Sequence, residues 1–334
     1  MDFSFSEEQL LFRDTVRDIL TKECTPAAVR ESWDNDTGRV PGLWATLAET
    51  GVLAVTAPES HGGFGMSEVD LVLLIEEFGR AAAPEPVLEQ VAVAIPAIRD
   101  HGSGAQKDQW LGPAAAGEVV FAVGLDGSLV LGAAEADALV LRHGDELHLV
   151  VAADIETTPV TSIDQSRRLV EVAWTPSADT LLTADPQALA SARSRGAMGA
   201  AALCVGIGQQ LLDVTVAYVA EREQFGKPVG VNQAVKHHLS NVGLALEFAR
   251  PMAQVAAWAL AEGEPTAHRD ASAAKALASD AVDLACRNAL QCHGAIGYTI
   301  EYDLQLWLKR GWALAASWGD ARSHRDQVAT ALSL

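Results

Sequence analysis

The sequence predicts a mostly helical α+β protein in three parts: a helical domain over residues 1–117, a small β domain over 118–184 and a C-terminal four-helix bundle over 185–334. Three observations carry this reading. Apolar residues recur at helical spacing through the first part, short β-type runs replace them at Glu118, and long helical patterns return from Asp185.

Each element has a local cause. Ser6 is a good N-cap, Gln9 completes a capping box, and Glu7 and Glu8 suit the first turn of a helix. Phe5 and Leu10 can staple its entry, and Leu10, Phe12, Val16, Ile19 and Leu20 form its apolar stripe. A second helix over 41–50 stops at Gly51. The glycine-rich stretch 57–66 reads as a tight turn and not as a dinucleotide fingerprint, because no βαβ pattern surrounds it. Ser67 caps another helix reaching Gly79, and helical patterns continue over 86–117. Strand-like runs follow at 119–123, 138–141, 147–151 and 169–174, separated by Gly127, Gly132, Gly144 and Pro159. The four bundle segments are 187–222, 231–262, 266–292 and 301–316. Gly196, Gly199, Gly206 and Gly208 in the first of them are expected to let helices approach closely.

Charge narrows the function. With 44 acidic against 24 basic side chains the net charge is -20, and no basic run offers a nucleic-acid surface. Cys24, Cys204, Cys286 and Cys292 contain no CxxC pair and read as reduced thiols of a cytoplasmic protein. The N-terminus lacks the pattern of a signal peptide, and no uninterrupted apolar stretch reads as a bilayer span, so no membrane is expected.

The stretch 221–226, Glu-Arg-Glu-Gln-Phe-Gly, places a cation (Arg222), an amide (Gln224) and an aromatic ring (Phe225) at one helix end. That set suits a phosphate with a flat heterocycle beside it. On spacing alone a plainer reading is favoured, with Arg222 a surface charge and Phe225 a core anchor. Other stretches keep it company. Pro58-Glu59 with Gly62-Gly63-Phe64-Gly65, the segment 164–169 (Asp-Gln-Ser-Arg-Arg-Leu), Arg222 to Gly226 with Gln233, and Gln291-Cys-His-Gly294-Ala-Ile-Gly297-Tyr298-Thr299 with Glu301-Tyr302 occur in order. Together they resemble the acyl-CoA dehydrogenase family over nearly the whole chain.

The resemblance implies FAD-dependent removal of two hydrogens from an acyl-CoA, with a glutamate taking the α proton and the flavin the β hydride. It also implies that FAD is shared between subunits. Arg222 and Gln224 would contact the pyrophosphate with Phe225 packed beside them, and Gln233, Gln291 and Gly294 would line the adenosine end. Ala295 replaces the second glycine of the family's usual pair.

Two departures from the family change the expectation. Its catalytic glutamate lies at one of two positions, which fall here on Gly196 and Trp318; neither residue accepts a proton. Its flavin-contacting strand is replaced by Phe121-Ala-Val-Gly-Leu-Asp-Gly-Ser128, and the β domain is shortened after it. This pattern resembles the non-catalytic subunit of heterotetrameric (α2β2) acyl-CoA dehydrogenases of bacterial sterol degradation. A full-length homologue would supply the glutamate and the flavin cradle, the acyl-CoA would be bulky and steroid-derived, and electron transfer flavoprotein is the kind of acceptor implied.

Two alternatives stand beside it. One is a self-sufficient homo-oligomer with an unusual base, for which Asp320 is nearest the vacated position and His293 and Glu301 are further candidates. The other is a structural subunit that has lost FAD. Trp307, Trp312 and Trp318 read as core or subunit interface, and His237-His238 as a polar face without metal spacing. Glu7, Glu8, Glu76 and Glu77 read as solvated helix faces.

Overall fold

The computed structural model describes residues 4–334. Its N-terminal helices are α1 (Glu7–Glu23), α2 (Pro26–Ser32), α3 (Leu43–Glu49), α4 (Glu68–Ala81), α5 (Ile95–His101) and α6 (Gly104–Ala115), with a π-helical turn, Leu88–Ala94, leading into α5. The expected capping box starts α1: Ser6 Oγ accepts from the Gln9 N–H at 3.2 Å, and Gln9 Oε1 accepts from the Ser6 N–H at 2.9 Å. Ser67 starts α4 in the same way, with Asp70 as the return acceptor.

Strands β1 (Phe121–Gly124), β2 (Leu129–Leu131), β3 (Ala138–His143), β4 (Glu146–Val151), β5 (Glu156–Pro159), β6 (Leu169–Ala173) and β7 (Leu181–Thr183) form two small sheets. One runs β1-β3-β4-β7, with β1 parallel to β3; the other, β2-β6-β5, is antiparallel. β2, β5 and β7, three or four residues long, lie outside the strand-like runs of the sequence, whereas β1, equally short, falls within the apolar run 119–123. The side chain of buried Gln90 docks this layer on the N-terminal helices. Its Oε1 accepts from the Phe121 N–H at 2.7 Å, and its Nε2 donates to Val119 O at 2.9 Å.

α7 (Pro186–Glu221) is followed by a two-residue-per-strand hairpin, β8 (Glu223–Gln224) and β9 (Lys227–Pro228). Next come α8 (Gln233–Ala261), α9 (Ala267–His293), α10 (Leu304–Ala316) and a further helix, α11 (Ala321–Ala331), packed on α9. α11 is absent from the sequence-based reading because it buries only His324 and shows no apolar stripe. α7 is, on length and composition, apolar enough to cross a bilayer, which the sequence-based reading did not anticipate. In the fold it is the centre of the bundle, with α4, α8, α9 and α10 packed on it.

The glycines of α7 do what their spacing suggests. A Cβ on Gly206 would lie 1.9 Å from the Glu76 carbonyl oxygen of α4, and one on Gly79 of α4 would lie 2.3 Å from Leu203 O of α7. The two helices cross backbone against backbone. Beside this crossing, Glu76 and Glu77 are not the solvated residues their sequence suggests. Glu77 is 3% exposed and accepts from Arg17 at 2.6 and 2.9 Å, and Glu76 accepts from Arg250 at 3.0 Å. Helix crossing buries one face of α4 that local charge cannot reveal. Trp307 is buried, its indole N–H donating to Arg80 O at 2.8 Å, so it belongs to the core. The segment 164–169 is structural too: buried Asp164 pairs with Arg310 of α10, and Arg168 reaches Glu135 at 2.9 Å and carbonyls after α2. Among the described residues no cysteine is paired, and burial pushes the Cys204 thiol up to about 11.

Burial also pushes the Glu85 carboxyl up to about 7, although the Val40 N–H donates to it at 2.8 Å. A carboxyl whose folded pKa exceeds its unfolded value stabilises the fold least once it is ionised. Its share is therefore lost as pH rises from the ordinary glutamate range through about 7. Glu85→Gln should gain melting temperature over the wild type across that window and hold a constant margin above it. Parallel melting curves from pH 4.5 to 8 would contradict the assignment.

Candidate functional site

Two cavities lie near the ends of α7. At its C-terminal end the Arg222 N–H closes the last turn on Tyr218 O at 2.8 Å, and the chain turns extended. Side chains then alternate across the ribbon. Arg222 and Gln224 face a groove of about 520 Å³, with Tyr218, Val235, His238, Gln291, His293 and Gly294 among its other walls. Among the described residues the exposed Arg222 guanidinium has no ion pair or side-chain hydrogen bond, so its donors face the groove uncommitted. Gly294 ends α9 at φ +66°, a conformation that favours glycine, and nothing lies within 4 Å of where a Cβ would be.

The structure thus brings together Arg222, Gln224, Gln291 and Gly294, while Phe225 and Gln233 stand outside the groove walls. Phe225 is neither packed beside Arg222 nor a core anchor. It sits at the hairpin tip at φ +55° and is fully exposed. Gln233 is exposed at the start of α8. His293 is buried beneath the Tyr218 ring, 4.3 Å between centroids and near-parallel. Its Nδ1 donates to Ala289 O at 2.8 Å, and burial lowers its pKa. It is a wall, held in one tautomer by that bond. His238 bonds Asn288 Oδ1 at 3.0 Å and contributes to the same wall, and His237 is exposed.

The second cavity, about 300 Å³, lies between β1, β2 and the C-terminal end of α10, and Trp318 lines it. Gly196 lies beneath that ring: a Cβ on Gly196 would stand 2.1 Å from Trp318 Cε3. The two positions expected to hold a base are therefore neighbours, and the indole fills the space that either carboxylate would need. Trp318 adopts φ +58°, a left-handed conformation costly for a bulky residue. Its turn is clamped from below. Fully buried Lys275 donates to Gly319 O at 2.9 Å and Ala315 O at 3.2 Å, and His324 Nε2 donates to Trp318 O at 2.7 Å.

Asp320, nearest the counted base position, is not among the residues lining the second cavity. Its carboxylate accepts from the Ser323 N–H at 2.7 Å as the N-cap of α11, and that bond lowers its pKa. Glu301 is exposed and lines neither cavity. Sequence reasoning missed Glu89, which the π-helical turn delivers into the second cavity opposite Trp318. Burial raises its pKa, offset by Arg167 and Arg310 and by the Trp318 side chain. Its signal was one carboxylate inside the apolar run 87–94. β1 and the turn after it offer this cavity Val123, Gly124, Leu125 and Asp126, whose carboxylate is paired with Arg193.

Arg222 follows Gly196 by 26 positions along α7, about 39 Å of helix. The two cavities are therefore too far apart to be halves of one extended dinucleotide site within a single chain.

Comparison with known proteins identifies the family. Residues 6–118 match the acyl-CoA dehydrogenase N-terminal domain, and residues 188–333 match its C-terminal domain. Acyl-CoA dehydrogenase IpdE2 of Mycolicibacterium smegmatis is 33% identical over 95% of this chain and 96% of its own, and the IpdE2 of Mycobacterium tuberculosis is 32% identical over 91% of each. Among solved structures, a variant of the Tcur3481-Tcur3483 steroid ACAD superposes with a TM-score of 0.89 at 25% identity over 98% of both chains. The ChsE4-ChsE5 complex from Mycobacterium tuberculosis superposes with a TM-score of 0.91 at 23% identity over 100% of this chain and 99% of that one, a likeness of fold. With both terminal domains matched and relatives a third identical over nearly full length, this chain belongs to the acyl-CoA dehydrogenase family.

Proposed function

We propose that this chain is the cofactor-sharing, non-catalytic subunit of a heteromeric acyl-CoA dehydrogenase. Its partner is a full-length homologue carrying the catalytic glutamate and the flavin cradle, in an α2β2 assembly with one FAD per pair. The observation that carries the reading is the contrast between the two cavities: one keeps an uncommitted guanidinium in an open groove, and at the other Trp318 packs on Gly196, with no carboxylate at either counted base position. The residues present fit the ADP half of FAD. Arg222 presents a planar fork suited to pyrophosphate, Gln224 adds an amide, and Gln291 and Gly294 stand where an adenosine would lie. FAD, when bound, supplies the hydride acceptor for α,β-dehydrogenation of the acyl-CoA. Phe225 and Gln233, outside the groove walls, would meet that cofactor only through the partner's surface.

The substrate is a bulky steroid-derived acyl-CoA, consistent with the steroid ACAD among the similar structures. Electrons pass to an acceptor of the electron transfer flavoprotein kind, and the complex works in the cytoplasm. The domain boundaries belong to the same proposal: 1–117, 118–184 and 185–334.

The test is to purify the chain alone and together with the partner, and to measure FAD per chain. A colourless chain alone and a yellow complex with one FAD per pair support the reading. One FAD per chain in a stable homo-oligomer overturns it.

Glu89 favours a second reading, a self-sufficient enzyme with a base from the N-terminal helices, because its carboxylate enters the cavity that Trp318 closes. Removing a general base costs on the order of 10²–10⁴ in rate. On the cofactor-sharing reading, Glu89→Gln in the complex should leave turnover within about twofold, a margin well short of that loss. A loss of about 10² or more transfers the base to this chain.

A further inference from the structure

We propose that His143, Glu146 and His148, on the β3–β4 hairpin, form a binding site for a divalent transition-metal ion such as Zn²⁺. Strand register puts the three on one face. His143 faces Glu146 directly across the Gly144-Asp145 turn, and His148 follows Glu146 by two residues along β4. One ligand atom from each lies within 4.8 Å of the other two. Glu146 Oε2 is 3.2 Å from His148 Nε2 and 3.8 Å from His143 Nδ1. None of the three lines either cavity described above.

Buried His148 has a polar partner behind its far ring nitrogen. Its Nδ1 lies 3.0 Å from Thr180 Oγ1, and that hydroxyl donates its own proton to Ser177 O, also at 3.0 Å. With that bond in place Thr180 accepts from His148 Nδ1, the tautomer in which Nε2 presents a lone pair to a metal; with the hydroxyl turned to Nδ1 instead, Nε2–H donates to Glu146. In the first tautomer the lone pair faces a carboxylate oxygen. In that tautomer a metal ion between the two acceptors, 3.2 Å apart, would relieve their repulsion. Metal–nitrogen and metal–oxygen bonds of this kind place adjacent ligand atoms about 3.0–3.4 Å apart, which the Glu146–His148 separation meets. His143, its Nδ1 3.8 Å from Glu146 Oε2, is the third ligand, and solvent reaches the open side, since His143 and Glu146 are 59% and 42% exposed.

Donor chemistry selects the ion. Two imidazoles and one carboxylate suit Zn²⁺, Cu²⁺ or Ni²⁺ and not Mg²⁺ or Ca²⁺, which want oxygen shells. The Thr180 bond to the far nitrogen is the kind of outer contact that orients a metal-binding histidine. Binding would pin the hairpin to the segment entering β7 and stabilise the fold by mass action.

Zinc titration of the full-length chain, free of any polyhistidine tag, tests the site by calorimetry and thermal melting. The wild type should bind one Zn²⁺ per chain with a rise in melting temperature. His143→Ala and Glu146→Gln, both at exposed positions, should each weaken binding at least tenfold and abolish that rise. His237→Ala, an exposed histidine on α8, should change neither. Absence of zinc binding by the wild type, or wild-type affinity in either His143→Ala or Glu146→Gln, overturns the assignment.

Discussion

Arg222→Ala should strip FAD from the assembled complex while leaving its acid–base chemistry in place. The guanidinium is exposed at the end of α7, uncommitted to any carboxylate among the described residues, and aimed into a groove of nucleotide size. Charge-assisted hydrogen bonds to phosphate contribute about 1.5–3 kcal/mol, so affinity for FAD should fall roughly ten- to a hundredfold. Arg222→Lys keeps the charge but loses the planar fork and should recover only part of that affinity. The readout is FAD per complex after dialysis, with turnover measured under saturating added FAD. If Arg222→Ala keeps its FAD through dialysis, the groove does not hold the pyrophosphate. Turnover that returns with added FAD separates a binding role from a chemical one.

The second large effect is on stability. Gly206→Ala should be strongly destabilising, although alanine is intrinsically the better helix former by about 1 kcal/mol. The new methyl would meet the Glu76 carbonyl oxygen at 1.9 Å and the Arg80 nitrogen at 2.9 Å. Both are backbone atoms, so no rotamer change relieves the clash and α4 must move away from α7. That motion would pull on the Glu76–Arg250 and Glu77–Arg17 pairs flanking the crossing. Overpacking of this kind costs about 1–3 kcal/mol and more where the backbone is the obstacle. Gly243→Ala on α8 is the control: its nearest neighbour, Leu212 Cδ2, lies at 3.7 Å, an ordinary contact. That variant should be neutral or slightly stabilising. Equal melting temperatures for Gly206→Ala and Gly243→Ala would contradict the close crossing.

The sequence by itself determined whatever depends on neighbours along the chain. Ser6 with Gln9 and Ser67 with Asp70 set helix starts, because capping is settled within four residues. The long bundle helices were legible because their apolar period spans many turns. Four motifs in order were enough to point to the family, and the positions of the missing glutamates could be counted.

Only the tertiary structure decided what those positions do together. Gly196 and Trp318 are 122 residues apart, yet the indole of one rests on the backbone of the other. Glu89 enters the same cavity from a different part of the chain, and Glu76 and Glu77 turn out to be paired at a helix crossing and not solvated. Phe225 belongs to the expected cofactor set by sequence but falls at the exposed tip of the hairpin, outside the groove walls, because the turn takes it out of the ribbon at φ +55°. Burial, clash and shared cavities arise from distances between elements. Local propensity fixes the elements and leaves those distances to packing.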